Sequence, residues 1–116
     1  MAEITRLHVG ERMSQVAIHG DTVYLAGQVA SDLSQDVAGQ TAQILARIDE
    51  LLAEAGSDKT KILATTIWLA DMATFGQMNG VWDPWVPPGA ASTRACVGAP
   101  LATPEYLVEI RVIAGR

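Results

Sequence analysis

Two charged residues near the C-terminus, Arg94 and Glu109, interrupt runs of sequence that otherwise resemble buried β-strands. Arg94 lies in the run 92–97, and Glu109 follows fifteen residues later in the run 106–114. A guanidinium group can bind an anion through two parallel hydrogen bonds, and a carboxylate can accept a proton from water or substrate. The pair therefore predicts a site for an anionic substrate. The alternative is an ordinary cross-strand ion pair.

The elements that must position these residues begin with short apolar stretches. Residues 4–9, 13–19 and 22–29 are predicted strands, and Gly20-Asp21 predicts a hairpin turn between the second and the third. The apolar residues then change to a helical period, from a capping Asp36 to a terminating Gly56. The chain therefore begins with strands and continues into an amphipathic helix.

The second half repeats the alternation of strand and helix. Residues 62–69 are rich in β-branched side chains and predict a strand, and residues 72–83 predict a second helix that Pro84 kinks or ends. The runs that contain Arg94 and Glu109 are the last two strands. We expect a single α+β domain over residues 1–116, with one mixed sheet of about six strands and two helices packed on one face.

Alternation along the last strand predicts which side chains share a face of the sheet. Val108, Ile110, Val112 and Ala114 lie on one face, and Leu107, Glu109, Arg111 and Ile113 lie on the other. We assign Arg94 to the face of Glu109, together with Tyr24 and Trp68. A face that mixes large apolar groups with charges suits a subunit interface that contains a polar pocket.

Composition excludes several classes of function. The net charge is -5 and no cluster of Lys or Arg occurs, so nucleic acid is not an expected partner. A single cysteine, the lack of a signal-peptide pattern and the lack of a long apolar run predict a cytoplasmic protein without a membrane span. His8 and His19 are isolated from Cys96 and from any carboxylate pair, so we expect no metal site.

Four short motifs resemble the RidA/YjgF family of small trimeric enamine/imine deaminases, and the similarity covers nearly the whole chain. The motifs are the strand end Ala26-Gly27-Gln28, Asn79 in the second helix, the strand Arg94-Ala95-Cys96-Val97, and Val108-Glu109-Ile110 followed by Ala114. The spacing from Arg94 to Glu109 is the most specific part of the pattern.

The resemblance implies a chorismate-mutase-like fold, a homotrimer with pockets between subunits, and hydrolysis of 2-imino acids to 2-oxo acids and ammonia without a cofactor. It further implies that Arg94 binds the substrate carboxylate and that Glu109 positions or activates water. The backbone of Cys96 would line the same pocket, with Asn79, Ala26, Gly27 and Met13 around the substrate. The small-molecule partner is then a 2-imino or 2-oxo acid.

Two positions depart from the family pattern. Ala26 stands where active members commonly have serine, and Met13 stands near the place of an aromatic hydroxyl. These departures favour an alternative function, a non-catalytic binder of small carboxylic acids in the same family. An endoribonuclease is a third hypothesis, which the acidic composition disfavours.

Overall fold

A computed structural model describes residues 3–116 of the chain. It contains one sheet of six strands in the spatial order β1-β2-β3-β6-β4-β5, in which only β4 and β5 run parallel to each other. The strands are β1 (Ile4–Val9), β2 (Ser14–His19), β3 (Thr22–Leu25), β4 (Ile62–Leu69), β5 (Thr93–Gly98) and β6 (Val108–Gly115). The predicted mixed sheet is confirmed.

Two helices complete the fold: α1 (Val37–Glu54) precedes β4, and α2 (Phe75–Trp85) precedes β5. The N-terminus of α1 is capped by Asp36, whose carboxylate accepts a hydrogen bond from the Gly39 N–H at 2.9 Å. The chain leaves α1 through Gly56, which has a φ of 78°, a left-handed conformation that favours glycine. The capping residues predicted from the sequence are therefore confirmed.

The core lies between the helices and one face of the sheet. Alternate residues of β6 are fully buried, namely Val108, Ile110, Val112 and Ala114, and α1 packs against β3, β6 and α2. The buried stripe of α1 contains Ile44, Leu45, Ile48, Leu51 and Leu52. Side chains of the opposite face of the sheet remain partly accessible, as for Tyr24, which is 39% exposed. The helix-covered face is therefore the core predicted from the period of the sequence.

Several boundaries differ from the prediction, and those of β3 and α2 differ most. β3 ends at Leu25 instead of residue 29. Beyond it, Ala26 keeps one hydrogen bond to Gln15 of β2, and Gln28 forms only an isolated bridge to Ile110. α2 begins at Phe75, after a short 3₁₀ turn at Met72–Thr74, and includes Pro84. A proline this close to the last residue of a helix removes only a bond of the final turn, so α2 continues to Trp85.

Within the described residues, no helix is both long enough and apolar enough to cross a membrane. No cluster of three or more His, Cys, Asp or Glu side chains suited to a metal ion occurs in the same part of the chain.

Candidate active site

Arg94 is held by side chains of α2. Its Nη1 donates a hydrogen bond of 2.8 Å to Oδ1 of Asn79, and its guanidinium carbon lies 5.6 Å from the ring centroid of Phe75 and 5.4 Å from that of Trp82. Both distances are in the range of cation–π attraction. We call Arg94, Asn79, Phe75 and Trp82 the arginine cluster. In this cluster, side chains of the same protein chain orient the guanidinium.

The face of the sheet on which Arg94 lies was predicted wrongly. In the parallel pair, Arg94 is aligned with Thr65 and Cys96 with Ile67, both of which point into the core. Glu109 is instead aligned with Trp68, on the face away from the helices. Alternation shows which side chains of one strand share a face, but it does not relate that face to the faces of another strand. Only the register of β4 against its two neighbours relates the faces of β5 to those of β6. Arg94 and Glu109 therefore lie on opposite faces of one chain.

This arrangement also rejects the interpretation of Arg94 and Glu109 as a cross-strand ion pair. Among residues 3–116, the salt bridges are His8 with Glu54, Arg47 with Glu50 and Lys61 with Asp58. The charge of Arg94 is thus available to an anion from outside the chain.

Cys96 lies two residues beyond Arg94 on the same strand. Its side chain packs against the core, and burial raises the pKa of its thiol, although the nearby Arg94 acts in the opposite direction. A thiol of this kind is a weak nucleophile. β5 is the edge strand of the sheet, and an edge strand has a row of backbone groups without a partner strand. The backbone at Cys96 is thus better suited than its thiol to contact a ligand or a second chain, and its role in the site stays a prediction.

Glu109 lies in a separate open cleft of about 630 Å³ on the other face of the sheet. The residues that line this Glu109 cleft are Met13, Gln15, Gly27, Gln28, Val29, Ala102, Tyr106 and Glu109. Burial raises the pKa of the Glu109 carboxyl, and no described residue donates a hydrogen bond to it. A carboxylate with these properties is a suitable proton acceptor for a water molecule in the cleft.

Ala26 and Gly27 pass directly beside Glu109. The N–H of Ala26 donates to the Gln15 carbonyl at 2.9 Å, which anchors this segment to β2. A Cβ atom added to Gly27 would overlap the Glu109 carboxylate, so a larger residue here would force that carboxylate to move. Met13 is 49% exposed at the rim of the same cleft. The predicted residues Met13, Ala26, Gly27 and Glu109 are thus brought together.

The seven predicted site residues therefore form two groups. Arg94, Asn79 and Cys96 belong to β5 and α2, and the other four surround the Glu109 cleft. Neither group contains both an anion-binding cation and a proton acceptor.

Sequence reasoning missed several residues of these groups. Phe75 and Trp82 were not predicted to contact Arg94, although their position one turn on either side of Asn79 could have indicated it. Gln15, Gln28 and Tyr106 were not singled out as site residues. Alternation from Met13 to Gln15 was the available signal for the first of them.

Comparison with known proteins identifies the family. The family model described as Endoribonuclease L-PSP matches residues 3–115, nearly the whole chain. The chain belongs to the RidA/YjgF family. The fold agrees with this assignment: a YjgF family member from Neisseria meningitidis superposes with a TM-score of 0.96 at 42% identity, covering 98% of this chain and 95% of that one. The predicted chorismate-mutase-like fold class is confirmed.

Two RidA/YjgF relatives place the chain within the family. It is 47% identical over 111 residues to a RutC family protein from Haemophilus ducreyi, with 96% of this chain and 95% of the relative covered. It is 31% identical over 107 residues to the 2-iminobutanoate/2-iminopropanoate deaminase of Rattus norvegicus, with 87% of this chain and 77% of the relative covered. The family therefore includes imine deaminases.

Proposed function

We propose that this protein hydrolyses 2-imino or enamine acids to 2-oxo acids and ammonia, without a cofactor, at pockets between the subunits of a homotrimer. The observation that carries the proposal is the division of the site. The chain has an oriented, unpaired arginine on one face of the sheet and a partly buried, unpaired carboxylate on the other. Each half supplies what the other lacks.

The division supports a site shared between two chains. In a 2-imino acid the carboxylate is bonded directly to the imine carbon, so one substrate must contact both halves at short range. Within one chain, β4 separates β5 from β6, which places them about 10 Å apart, and the sheet itself stands between the two side chains. A neighbouring subunit that apposes its arginine cluster to the Glu109 cleft removes this separation.

The reaction then needs only orientation and proton transfer. Arg94 of one subunit holds the substrate carboxylate through its two-pronged guanidinium. Glu109 of the other accepts a proton from water as the water oxygen bonds to the carbon of the protonated imine, whose C=N π electrons move to nitrogen, and a neutral carbinolamine results. Glu109 returns that proton to nitrogen, ammonia leaves with the electrons of the C–N bond, and the hydroxyl proton departs to leave a 2-oxo acid and ammonium.

Deaminase activity is tested by coupling the protein to an amino-acid oxidase that generates 2-imino acids. We expect the wild type to accelerate release of the oxo acid, and Arg94→Ala and Glu109→Gln each to abolish the acceleration. Arg47→Ala is a matched control, because Arg47 is an arginine paired with Glu50 on the surface of α1. If Arg94→Ala behaves like the wild type, the proposal is wrong.

The sharing of the site between chains is tested by mixing the two inactive variants after unfolding and refolding them together. A pocket formed by the intact arginine of one variant and the intact glutamate of the other should be active. In a head-to-tail ring with random assembly, about one pocket in four has this composition, so about a quarter of wild-type activity should return. If both residues of a pocket came from one chain, no activity would return.

A non-catalytic binder of small carboxylic acids is the second candidate, favoured by Ala26 and Met13, which contribute no hydroxyl group beside Glu109. For this function, calorimetry should detect binding of 2-oxo acids that is lost in Arg94→Ala and retained in Glu109→Gln, without turnover in the oxidase assay.

A further inference from the structure

The Glu109 cleft contains a pair of glutamine side chains whose amide groups are held in one orientation. Nε2 of Gln28 donates to Oε1 of Gln15 at 2.8 Å and to the carbonyl oxygen of Ala26 at 3.0 Å. These two bonds use both hydrogens of the Gln28 amide nitrogen. The carbonyl oxygen Oε1 of Gln28 must then point away from both acceptors.

Gln28 is only 6% exposed, and it is one of the residues that line the cleft. Its Oε1 has no hydrogen-bond partner among residues 3–116. Since that region has no buried side-chain nitrogen or oxygen without a partner, Oε1 keeps some accessible surface. The backbone of Gln28 is fixed as well, through bonds of 2.8 and 3.0 Å with Ile110. An oriented and accessible acceptor that has no partner in its own chain can receive a donor from a ligand in the cleft.

We infer that Oε1 of Gln28 is the acceptor for the substrate nitrogen, and that it selects imino and enamine acids over 2-oxo acids. This inference rests on the proposed function. An iminium or enamine nitrogen presents N–H groups, whereas the carbonyl oxygen of the product presents only lone pairs. If the carbonyl oxygen of the product takes the position of the substrate nitrogen, it faces Oε1 of Gln28, which is also an acceptor, and no hydrogen bond forms. Sites built to receive an N–H reject an analogue that lacks it, because their buried polar group is then left unpaired.

Gln15 acts in this arrangement as a positioning residue. Its Oε1 accepts one of the two Gln28 hydrogens and so fixes the orientation of the Gln28 amide. If the Gln28 amide were rotated by half a turn, Gln28 would present oxygen to two acceptors and lose both bonds. The pair thus holds an acceptor, and not a donor, towards the substrate. It also gives the oxo-acid product a lower affinity than the imine, which favours product release.

Two planar, stable acids test this selection. Pyrrole-2-carboxylate has an N–H on the carbon that bears the carboxylate, and furan-2-carboxylate has an oxygen acceptor at the same place. We expect calorimetry to give about tenfold tighter binding of the pyrrole acid by the wild type. In Gln28→Met, which keeps length and apolar volume, the ratio of the two dissociation constants should fall to about one, through weaker binding of the pyrrole acid.

Further variants separate this inference from the proposed function. Arg94→Ala should weaken the binding of both acids by the same factor and leave the ratio of their dissociation constants unchanged. Gln77→Met is the matched control for Gln28→Met, since Gln77 is exposed on α2. If Gln28→Met fails to fold, Gln15→Met replaces it, because removal of the fixing acceptor should also lower the ratio. Equal binding of the two acids by the wild type, no binding of either, or an unchanged ratio in both glutamine variants would overturn the inference. A wild type that discriminates between the acids but has no turnover overturns only the deaminase proposal.

Discussion

Replacing Asn79 with alanine should weaken carboxylate binding by removing the side chain that orients Arg94. The guanidinium of Arg94 donates a 2.8 Å hydrogen bond to Asn79 and lies over the rings of Phe75 and Trp82 at 5.6 and 5.4 Å. Loss of one such hydrogen bond costs about 1 kcal/mol, which corresponds to roughly a fivefold increase in Kd. The two ring contacts remain, so the guanidinium stays near its place but is less well oriented.

A double-mutant cycle isolates this orienting effect. Arg94→Lys keeps the charge but loses the planar fork, and we expect Kd to rise by about 10- to 150-fold, or about 1.5–3 kcal/mol. In that background Asn79→Ala should add almost nothing, because a single ammonium group presents no fork for Asn79 to orient. Calorimetric titration with a 2-oxo acid measures all four proteins.

The control for this cycle is Gln77→Ala, another amide residue of α2, which is exposed and two positions before Asn79. It should leave Kd unchanged. If Asn79→Ala weakens binding equally in the wild-type protein and in the Arg94→Lys variant, the two residues act independently and the reasoning from preorganisation is refuted.

Three further predictions concern the residues around Glu109 and the thiol of Cys96. Burial raises the pKa of Glu109 above 4.5, so the folded state binds this proton more tightly than the unfolded state. The contribution of this proton to the free energy of unfolding is fully present at low pH and is lost as pH rises through the raised pKa. In thermal melts, the stability of Glu109→Gln relative to the wild type should therefore increase from acid to neutral pH. The kcat/KM of the wild type should fall on acidification through the same raised pKa. Parallel dependence of the two proteins' stabilities on pH would contradict this prediction. Gly27→Ala should displace the Glu109 carboxylate and lower kcat by about tenfold or more with little change in KM, whereas Gly80→Ala, where an added Cβ meets nothing within 4 Å, should leave kcat unchanged. Cys96→Ala should keep its activity in the coupled oxidase assay within about threefold of the wild type, since burial raises the pKa of the thiol and only the backbone is assigned a role. A loss of activity as large as that of Arg94→Ala would assign the thiol a role.

The elements of this fold could be predicted because their signals are local. The capping Asp36, the terminating Gly56 and the apolar stripe between them specify α1 from neighbouring residues alone. The alternation in β6 identifies its buried face in the same way. The end of β3 could not be placed, because the regular ladder stops after Leu25, where Gly27 passes beside Glu109, a residue more than eighty positions away.

In the candidate site, too, local features could be predicted from the sequence and long-range features could not. Residue type and spacing in the sequence were enough to single out Arg94, Glu109 and their family. Only the tertiary structure decided that Arg94 and Glu109 lie on opposite faces of the sheet. The register of β4 against β5 and β6 determines which residues of β5 share a face with which residues of β6. The orientation of the Gln28 amide likewise depends on partners that the sheet brings together, Gln15 on β2 and the Ala26 carbonyl. The sequence by itself determined which chemical groups are present and which elements carry them; their direction and their partners are long-range properties that arise when strands pair.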